Sequence, residues 1–414
     1  MRKKLLALLC VPICLAYADQ TFDQFKQQQK TQQQDYLQQQ QAQFADFREA
    51  YLNEFDAYRS ELLAHWSTPI QSSLETQVEY SDSLNARIII DEQSQTLTIE
   101  QLIGHQPLAE EKQDSIQLLK EITDNPEVIE QYQQGKFEKS AQPVVVSSHQ
   151  VLKQHIHMQY EQVLSSIDAD KNLSNDNVAA QKQYEQQQYQ QRLTELDKQL
   201  NIAEKRATPY KKVQSLTMAL PDDYLFKKVS PFINEFQKHA NVQQQDLPLL
   251  LAISHAESSF DPQAKSHIPA FGLMQIVPRS AGMDVANKLL KQSSAPTATE
   301  LYQPNTNILY GAGYLSILSN QYLKGIHNQE SKKFCVIAAY NTGSGNVARA
   351  FNGGDNKSVK QALAKINAMS SEEVYQTLLS KLPYSETQKY LKKVRKLEAQ
   401  YQSQIPKWNG DITI

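Results

Sequence analysis

Between residues 44 and 66 the apolar positions recur at helical spacing. Phe44, Phe47, Tyr51, Phe55, Tyr58, Leu62 and Trp66 stand three or four residues apart and predict one amphipathic helix with a single apolar stripe. Phe22, Phe25 and Tyr36 extend the stripe weakly into a Gln-rich stretch whose Gln before residue 40 predicts disorder or coil. The period then changes. "ARIIIDEQSQTLTIE" (Ala86 to Glu100) has two β-rich runs around a polar centre and predicts a hairpin. "QPVVVSS" (Gln142 to Ser148) predicts another strand, the charged Gln-rich run from Asp176 to Ala207 a helix, and "VQSLTMALP" (Val213 to Pro221) a strand or extended linker. Residues 19–215 therefore form an α+β region.

After Pro221 the Gln thins and apolar helical runs take over. "SPFINEFQKHAN", "LPLLLAISHAESSF", "NTNILYGAGYLSILSNQYL" and "KKFCVIAAYNTGSGNVARAF" predict four helices, and a run broken at Pro383 adds two more. The fold class expected is mainly α. A helical domain over 222–404 follows the α+β N-terminal domain with its long Gln-rich helices.

Composition changes this picture little. The net charge is −3 and no Lys/Arg cluster is interleaved with aromatics, which argues against nucleic acid as a partner. The first residues add more. "MRKK", the apolar "LLALLCVPICLA" and "AYA" ending at Ala18 have the form of a signal peptide over 1–18, too short in its apolar run to span a bilayer. Leu9 precedes Cys10 and Ile13 precedes Cys14, where lipid attachment requires a small residue, so lipidation is not expected. A cut at Ala18 leaves only Cys335, in an apolar helical run, which is a core position rather than a nucleophile. No cofactor is implied, and the nine His show no metal-ligand spacing.

The candidate chemistry lies on "LPLLLAISHAESS". Leu249, Leu250, Ile253 and Glu257 fall on one face by spacings of three and four. A carboxyl there is partly desolvated, which raises its pKa and suits it to general-acid work on a leaving sugar oxygen. Taken alone, a helical Glu is more often paired with a Lys or capping a neighbour. Asp261, before Pro262, reads as a helix stop making a turn hydrogen bond rather than as a second catalytic carboxylate.

Four motifs in order, "ESSFDP", "AFGLMQIVP", "AAYNTGSGNV" and "SETQKYLKKV", resemble the goose-lysozyme-like catalytic domain of the lytic murein transglycosylases over roughly 140 residues. "QPNTNILYGAGYL", "QYLKGIHN", "EEVYQTL" and "VEYSDSLNARIIID" resemble the membrane-bound type C of that family. The resemblance implies that Glu257 is the sole catalytic acid and then base, with Ser259 supporting the site. It implies that Met274 and Gln275 line the sugar groove, that the Tyr340 hydroxyl stands near Glu257 beside Asn341, and that Glu386 and Tyr390 close the groove. It also implies peptidoglycan glycan strands as substrate and a periplasmic location. Peripheral association with the outer membrane or envelope proteins stays open.

Three features depart from the family. There is no lipid-attachment site, Thr342 stands where a Gly is expected, and the Gln-rich insertions near 27–43 and 181–191 are foreign to the type. Two other functions fit parts of the pattern. A lysozyme-like hydrolase would need a second carboxylate to hold water. A non-catalytic peptidoglycan-binding protein would not need Glu257 and Tyr340 together.

Overall fold

The computed structural model describes residues 24, 27, 28, 31, 46–66, 69–72, 76–103, 108–135, 138–140, 145–169, 175–206 and 212–408. The expected signal peptide, Phe22, Phe25, Tyr36 and Phe44 of the stripe, and Ala207 lie outside them. Of the stripe, residues 46–65 form helix α1. Leu62 and Trp66 are fully buried, whereas Tyr58 is 40% exposed, so the stripe turns outward at its middle.

The alternating segment folds as the expected hairpin. Strands β2 (Ala86–Asp91) and β3 (Thr96–Ile103) are antiparallel, with Ile88 opposite Ile99 and Ile90 opposite Leu97. β1 (Thr76–Tyr80) flanks β2, while β5 (Lys212–Ala219) and the short β4 (Glu138–Ser140) lie beyond β3. The sheet is wholly antiparallel, in the order β1-β2-β3-β5-β4. "VQSLTMALP" is thus an interior strand, not a linker.

Ile88, Ile90, Leu97 and Ile99 are closed off by Leu118, Leu119 and Ile122 of α2 (Leu108–Ile122) and by Tyr132 of α3 (Pro126–Gln134). Burying each such side chain contributes about 1.5–3 kcal/mol. A one-residue slip would expose all four strand residues at once, so the register is fixed. Towards the far end of β3, Trp66 packs on Leu102 and Val213 and donates its Nε1–H to the Leu84 carbonyl at 2.7 Å.

Two long helices follow α3 and β4, α4 (Val145–Ala169) and α5 (Asn175–Arg206), packed through Leu152, Ile156, Leu196 and Leu200. Here the structure corrects the strand expected at 142–148. Val145 to Ser148 open α4, and 142–144 lie outside the described residues. A short Val run is ambiguous by itself. The helical spacing of Leu152, Ile156 and Val163 behind it decides the outcome. The Gln-rich insertion at 181–191 is the middle of α5, and Tyr189 stacks on Tyr160 of α4 with ring centroids 4.6 Å apart.

From residue 224 to 404 the regular elements are helices: α6 (Tyr224–Val229), α7 (Ile233–Gln243), α8 (Leu247–Ser258), α9 (Met283–Val285), α10 (Ala298–Leu301), α11 (Pro304–Ile317), α12 (Gln329–Thr342), α13 (Ser344–Asn352), α14 (Val359–Asn367), α15 (Ser371–Lys381) and α16 (Ser385–Gln404). Their starts follow the sequence. Pro248 and Pro304 sit in first turns, where a missing N–H costs nothing, and Ser370 with Glu373 forms a capping box on α15. Every residue of α8 from Leu249 to His255 is buried, so it is a core helix rather than one with a single apolar face. Residues 54–414 form one compact unit that includes both the sheet and these helices.

Candidate active site

α8 is apolar enough to run through the core, and it surfaces only at its end. Glu257 is its penultimate residue. It keeps some surface on a cleft of ≈ 600 Å³, while its carboxyl is enclosed by protein. Burial pushes that carboxyl up to about 8; Tyr390 and Lys393 pull it down and Glu386 adds to the rise. The last turn of a helix also carries partial negative charge, which disfavours an anion there.

The helix stops abruptly. Ser259 and Phe260 both have positive φ, 51° and 65°, an uncommon conformation for two consecutive non-glycine residues. Phe260 is held there by edge contact with Phe236, centroids 5.9 Å apart. Asp261 is exposed, and its Oδ1 accepts from the backbone of Gln263 at 2.8 Å, the turn bond its place before Pro262 predicts.

The Gly-Leu-Met-Gln segment is a tight turn beside α8. Phe271 and Ile276 exchange backbone hydrogen bonds across it, and Gln275 N–H closes it onto Gly272 at 3.0 Å. Two hydroxyls of α8, Ser254 and Ser258, donate to the Leu273 carbonyl at 3.1 and 2.7 Å. Asn307 of α11, fully buried, donates to the Phe271 and Leu301 carbonyls and accepts from Met274 N–H, each at 2.7 Å. These contacts fix the turn relative to Glu257. Sequence reasoning did not find Ser254, Ser258 or Asn307, because each reads as an ordinary helical polar residue until the turn is seen against it.

Met274 and Gln275 differ from their expected places. The Met274 side chain is fully buried and its sulfur presses on Gly311, whose missing Cβ makes the space. It is therefore a packing residue and not a wall of the groove. Its carbonyl is what the site uses, accepting from the Tyr340 hydroxyl at 2.8 Å. The Gln275 side-chain amide is turned inward onto the Ala264 and Gly272 carbonyls, at 3.1 and 2.9 Å. Ser259 lines the cleft, but the hydroxyl that braces the helix end is that of Ser258.

Tyr340 and Tyr390 both lie close enough to Glu257 to interact with its carboxyl. Burial pushes both phenols well above their ordinary value, so each remains a neutral hydroxyl. The Tyr390 hydroxyl is buried and makes no hydrogen bond of ordinary geometry among the described residues, although it faces Glu257. Asn341 and Glu386 are brought together, Asn341 Nδ2–H donating to Glu386 Oε1 at 3.4 Å and Thr387 donating to Asn341 Oδ1 at 2.7 Å. Glu386 is buried, and burial pushes its carboxyl up as well.

Helix α4 packs directly on this corner. Gln162 donates to Glu386 at 3.2 Å, Ser385 donates to Glu161 at 2.6 Å, and Ser165 bonds Thr342 at 2.7 Å. Thr342, the departure from the family pattern, thus anchors the N-terminal region to the end of α12.

The chain is similar to known proteins over the part that holds Glu257. Residues 234–363 match the family model of the transglycosylase SLT domain. Membrane-bound lytic murein transglycosylase C of Sodalis glossinidius (strain morsitans) is 39% identical over 198 residues, covering 48% of this chain and 54% of that one. The protein of the same name from Pectobacterium atrosepticum matches to the same extent. The chain spans about half the length of the curated relatives it matches. Among solved structures, the 70 kDa soluble lytic transglycosylase of Escherichia coli is 23% identical with a TM-score of 0.34, over 72% of this chain and 43% of that one. Residues 234–363, which include Glu257 and Tyr340, are thus similar to a transglycosylase SLT domain, and the chain resembles the lytic murein transglycosylases.

Proposed function

We propose that the chain is a peptidoglycan lytic transglycosylase. It cleaves the β-1,4 bond between N-acetylmuramic acid and N-acetylglucosamine and leaves a 1,6-anhydro-N-acetylmuramic end. The feature that carries this reading is Glu257 at the end of α8, on the wall of a cleft, its carboxyl pushed up to about 8 by burial. In this reading Glu257 gives its proton to the bridging oxygen as the bond to C1 breaks. The muramic N-acetyl group stabilises the positive charge developing at C1. The ionised Glu257 then takes the proton of the C6 hydroxyl, whose oxygen closes on C1. Every proton is accounted for, and no water is consumed.

Tyr340 and Tyr390, as neutral hydroxyls, are suited to orient the carboxyl and the sugar, with Asn341 and Glu386 fixing the corner behind them. Ser259 borders the cleft. Four further carboxylates border the cleft: Glu79, which is ion-paired to Lys228 at 3.1 Å, Glu121, Asp261 and Glu92. Asp261 is bound into its turn, and Glu92 is held down to about 2, which makes it a weak base. With three of these four engaged elsewhere, transglycosylation is favoured over hydrolysis.

The test is digestion of purified sacculi over a pH series. Release of anhydro-ended muropeptides is expected, with a rate that falls about tenfold per pH unit above about pH 8, as Glu257 loses its proton. A rate still rising at pH 9 would contradict the assignment of the acid.

The organisation proposed with this activity is a leader over 1–18, an N-terminal domain over 19–215 and the catalytic domain over 222–404. The relatives named as membrane-bound support a place in the cell envelope, and Ala-Tyr-Ala supports export to the periplasm with the mature chain starting at Asp19. N-terminal sequencing of the exported protein reads the cut; a start at Cys10 or Cys14 would contradict it.

A further inference from the structure

One residue of the N-terminal sheet reaches the active-site helix. Glu92 follows β2 at the tip of the β2–β3 hairpin, a turn closed by Asp91 Oδ1, which accepts from Gln93 and Ser94 N–H at 2.7 and 3.0 Å. A hairpin tip normally points to solvent, yet Glu92 is only 8% exposed. Its Oε1 lies 2.7 Å from Nε2 of His255, off the ring N–H axis. Its Oε2 is 4.0 Å from Nζ of Lys393, and its carbonyl accepts from Lys396 at 2.7 Å. His255 is fully buried and stands two residues before Glu257 on α8. Lys393 stands three residues after Tyr390 on α16. Glu92, Lys393 and Glu257 border the same cleft.

The charges of this group can be assigned. The Tyr401 hydroxyl lies 2.8 Å from His255 Nδ1, which suits a ring accepting there and carrying its proton on Nε2, towards Glu92. Burial pushes His255 down while Glu92 pulls it up. Burial opposes ionisation of Glu92, but His255, Lys393 and Lys396 outweigh it. The state that satisfies both residues is an anionic Glu92 beside a neutral imidazole, with the lysines supplying the positive charge. The Lys393 ammonium then has two carboxyls within electrostatic reach, Glu92 and Glu257.

We propose that Glu92 is a positioning residue of the active site, which ties α8 to α16 through His255 and holds Lys393 so that less of its charge falls on Glu257. The inference rests on Glu257 being the acid. Its physical content is competition for one cation. With Glu92 present, Lys393 is already compensated. Without it, the carboxyl left among the described residues to compensate a largely buried ammonium is Glu257, which would then be drawn further towards its ionised form. The other groups facing Glu257 are Tyr340 from α12 and Tyr390 and Glu386 from α16. Those facing the Glu92–His255 pair are Tyr224 and Lys228 from α6 and Lys396 and Tyr401 from α16. Among these, Lys393 is the cation that acts on both carboxyls.

The experiment is the pH dependence of muropeptide release from purified sacculi by the full mature chain. The variants are Glu92→Gln, Lys393→Met and the two combined, each checked for folding by circular dichroism. In Glu92→Gln the alkaline limb is expected to move down by about one pH unit, the size of an opposite charge brought close. In the double variant it should return to or above the wild-type position. Lys393→Met alone should leave the limb at or above it. A folded Glu92→Gln with an unmoved limb would overturn the proposal, as would a double variant that stays shifted. If Glu92→Gln does not fold, Lys393→Met decides: a limb at or above the wild-type position supports the proposal and a downward shift overturns it. Failure of the acid assignment itself is seen separately, as turnover persisting in Glu257→Gln.

Discussion

Glu257→Gln is expected to lower the rate of glycan cleavage by at least a hundredfold while leaving the fold and sacculus binding intact. Gln has the shape of the protonated acid and its hydrogen bonds, but no acidic proton to give. Loss of a general acid costs about 10²–10⁴ in rate. The same variant should be more stable than wild type, with a sign and a pH window. Glu257 has an ordinary value of 4.5 and is pushed up to about 8 in the folded chain. The folded state therefore holds a proton that the unfolded chain releases, and stability contributed below pH 4.5 is lost as the pH rises through 8. Gln carries no such loss. The gain should be near zero at pH 4 and reach on the order of 5 kcal/mol above pH 8. Thermal unfolding at the two pH values reads the difference. A Gln variant less stable than wild type at pH 8 would mean that the carboxyl is not desolvated.

Gly272→Ala is expected to disable the site through the fold. Gly272 has φ of 73°, which costs a side chain about 1–2 kcal/mol. An added Cβ would also fall inside contact distance of the Leu301 carbonyl and the Asn307 amide, neither of which can move without breaking the contacts that hold the turn. Overpacking adds about 1–3 kcal/mol. Together these lower the unfolding midpoint by several degrees and displace the Met274 carbonyl that accepts from Tyr340. Gly354 is the control. Its φ is also positive, but nothing lies within 3.4 Å of an added Cβ, or indeed within 4 Å. Gly354→Ala should therefore cost only the backbone part. Equal losses at the two positions would show that the turn is not tightly enclosed.

Several of these features were legible in the sequence for physical reasons. The hairpin declared itself because its two inward rows alternate, and α8 because an apolar helix long enough to be core ended in one carboxylate. Asp261 was readable as a turn from the Pro after it. What was not legible depends on partners distant in the chain. Glu92 lies in "DEQSQ", which reads as a solvated turn, and only the packing of the hairpin tip against α8 makes it an inner residue. Met274 was assigned to the groove by its motif, yet Gly311, far along the chain, provides the space that takes its sulfur inside. Lys393 reads as one of several lysines on a charged helix. Over the described residues 145–148 the expected strand gave way to α4, because a three-residue Val run holds too little information against a helix packed through Leu152 and Ile156.

In the proposed reaction Glu257 drives ring closure by the sugar's own C6 hydroxyl and not attack by water. Digestion of sacculi in heavy-oxygen water, followed by mass spectrometry of the released muropeptides, tests it most directly. Muramic ends lighter by one water than hydrolysis products, with no label at C1, are expected. Heavy oxygen at the new muramic C1 would mean that water attacked, and the chain would be a hydrolase built on the same helices.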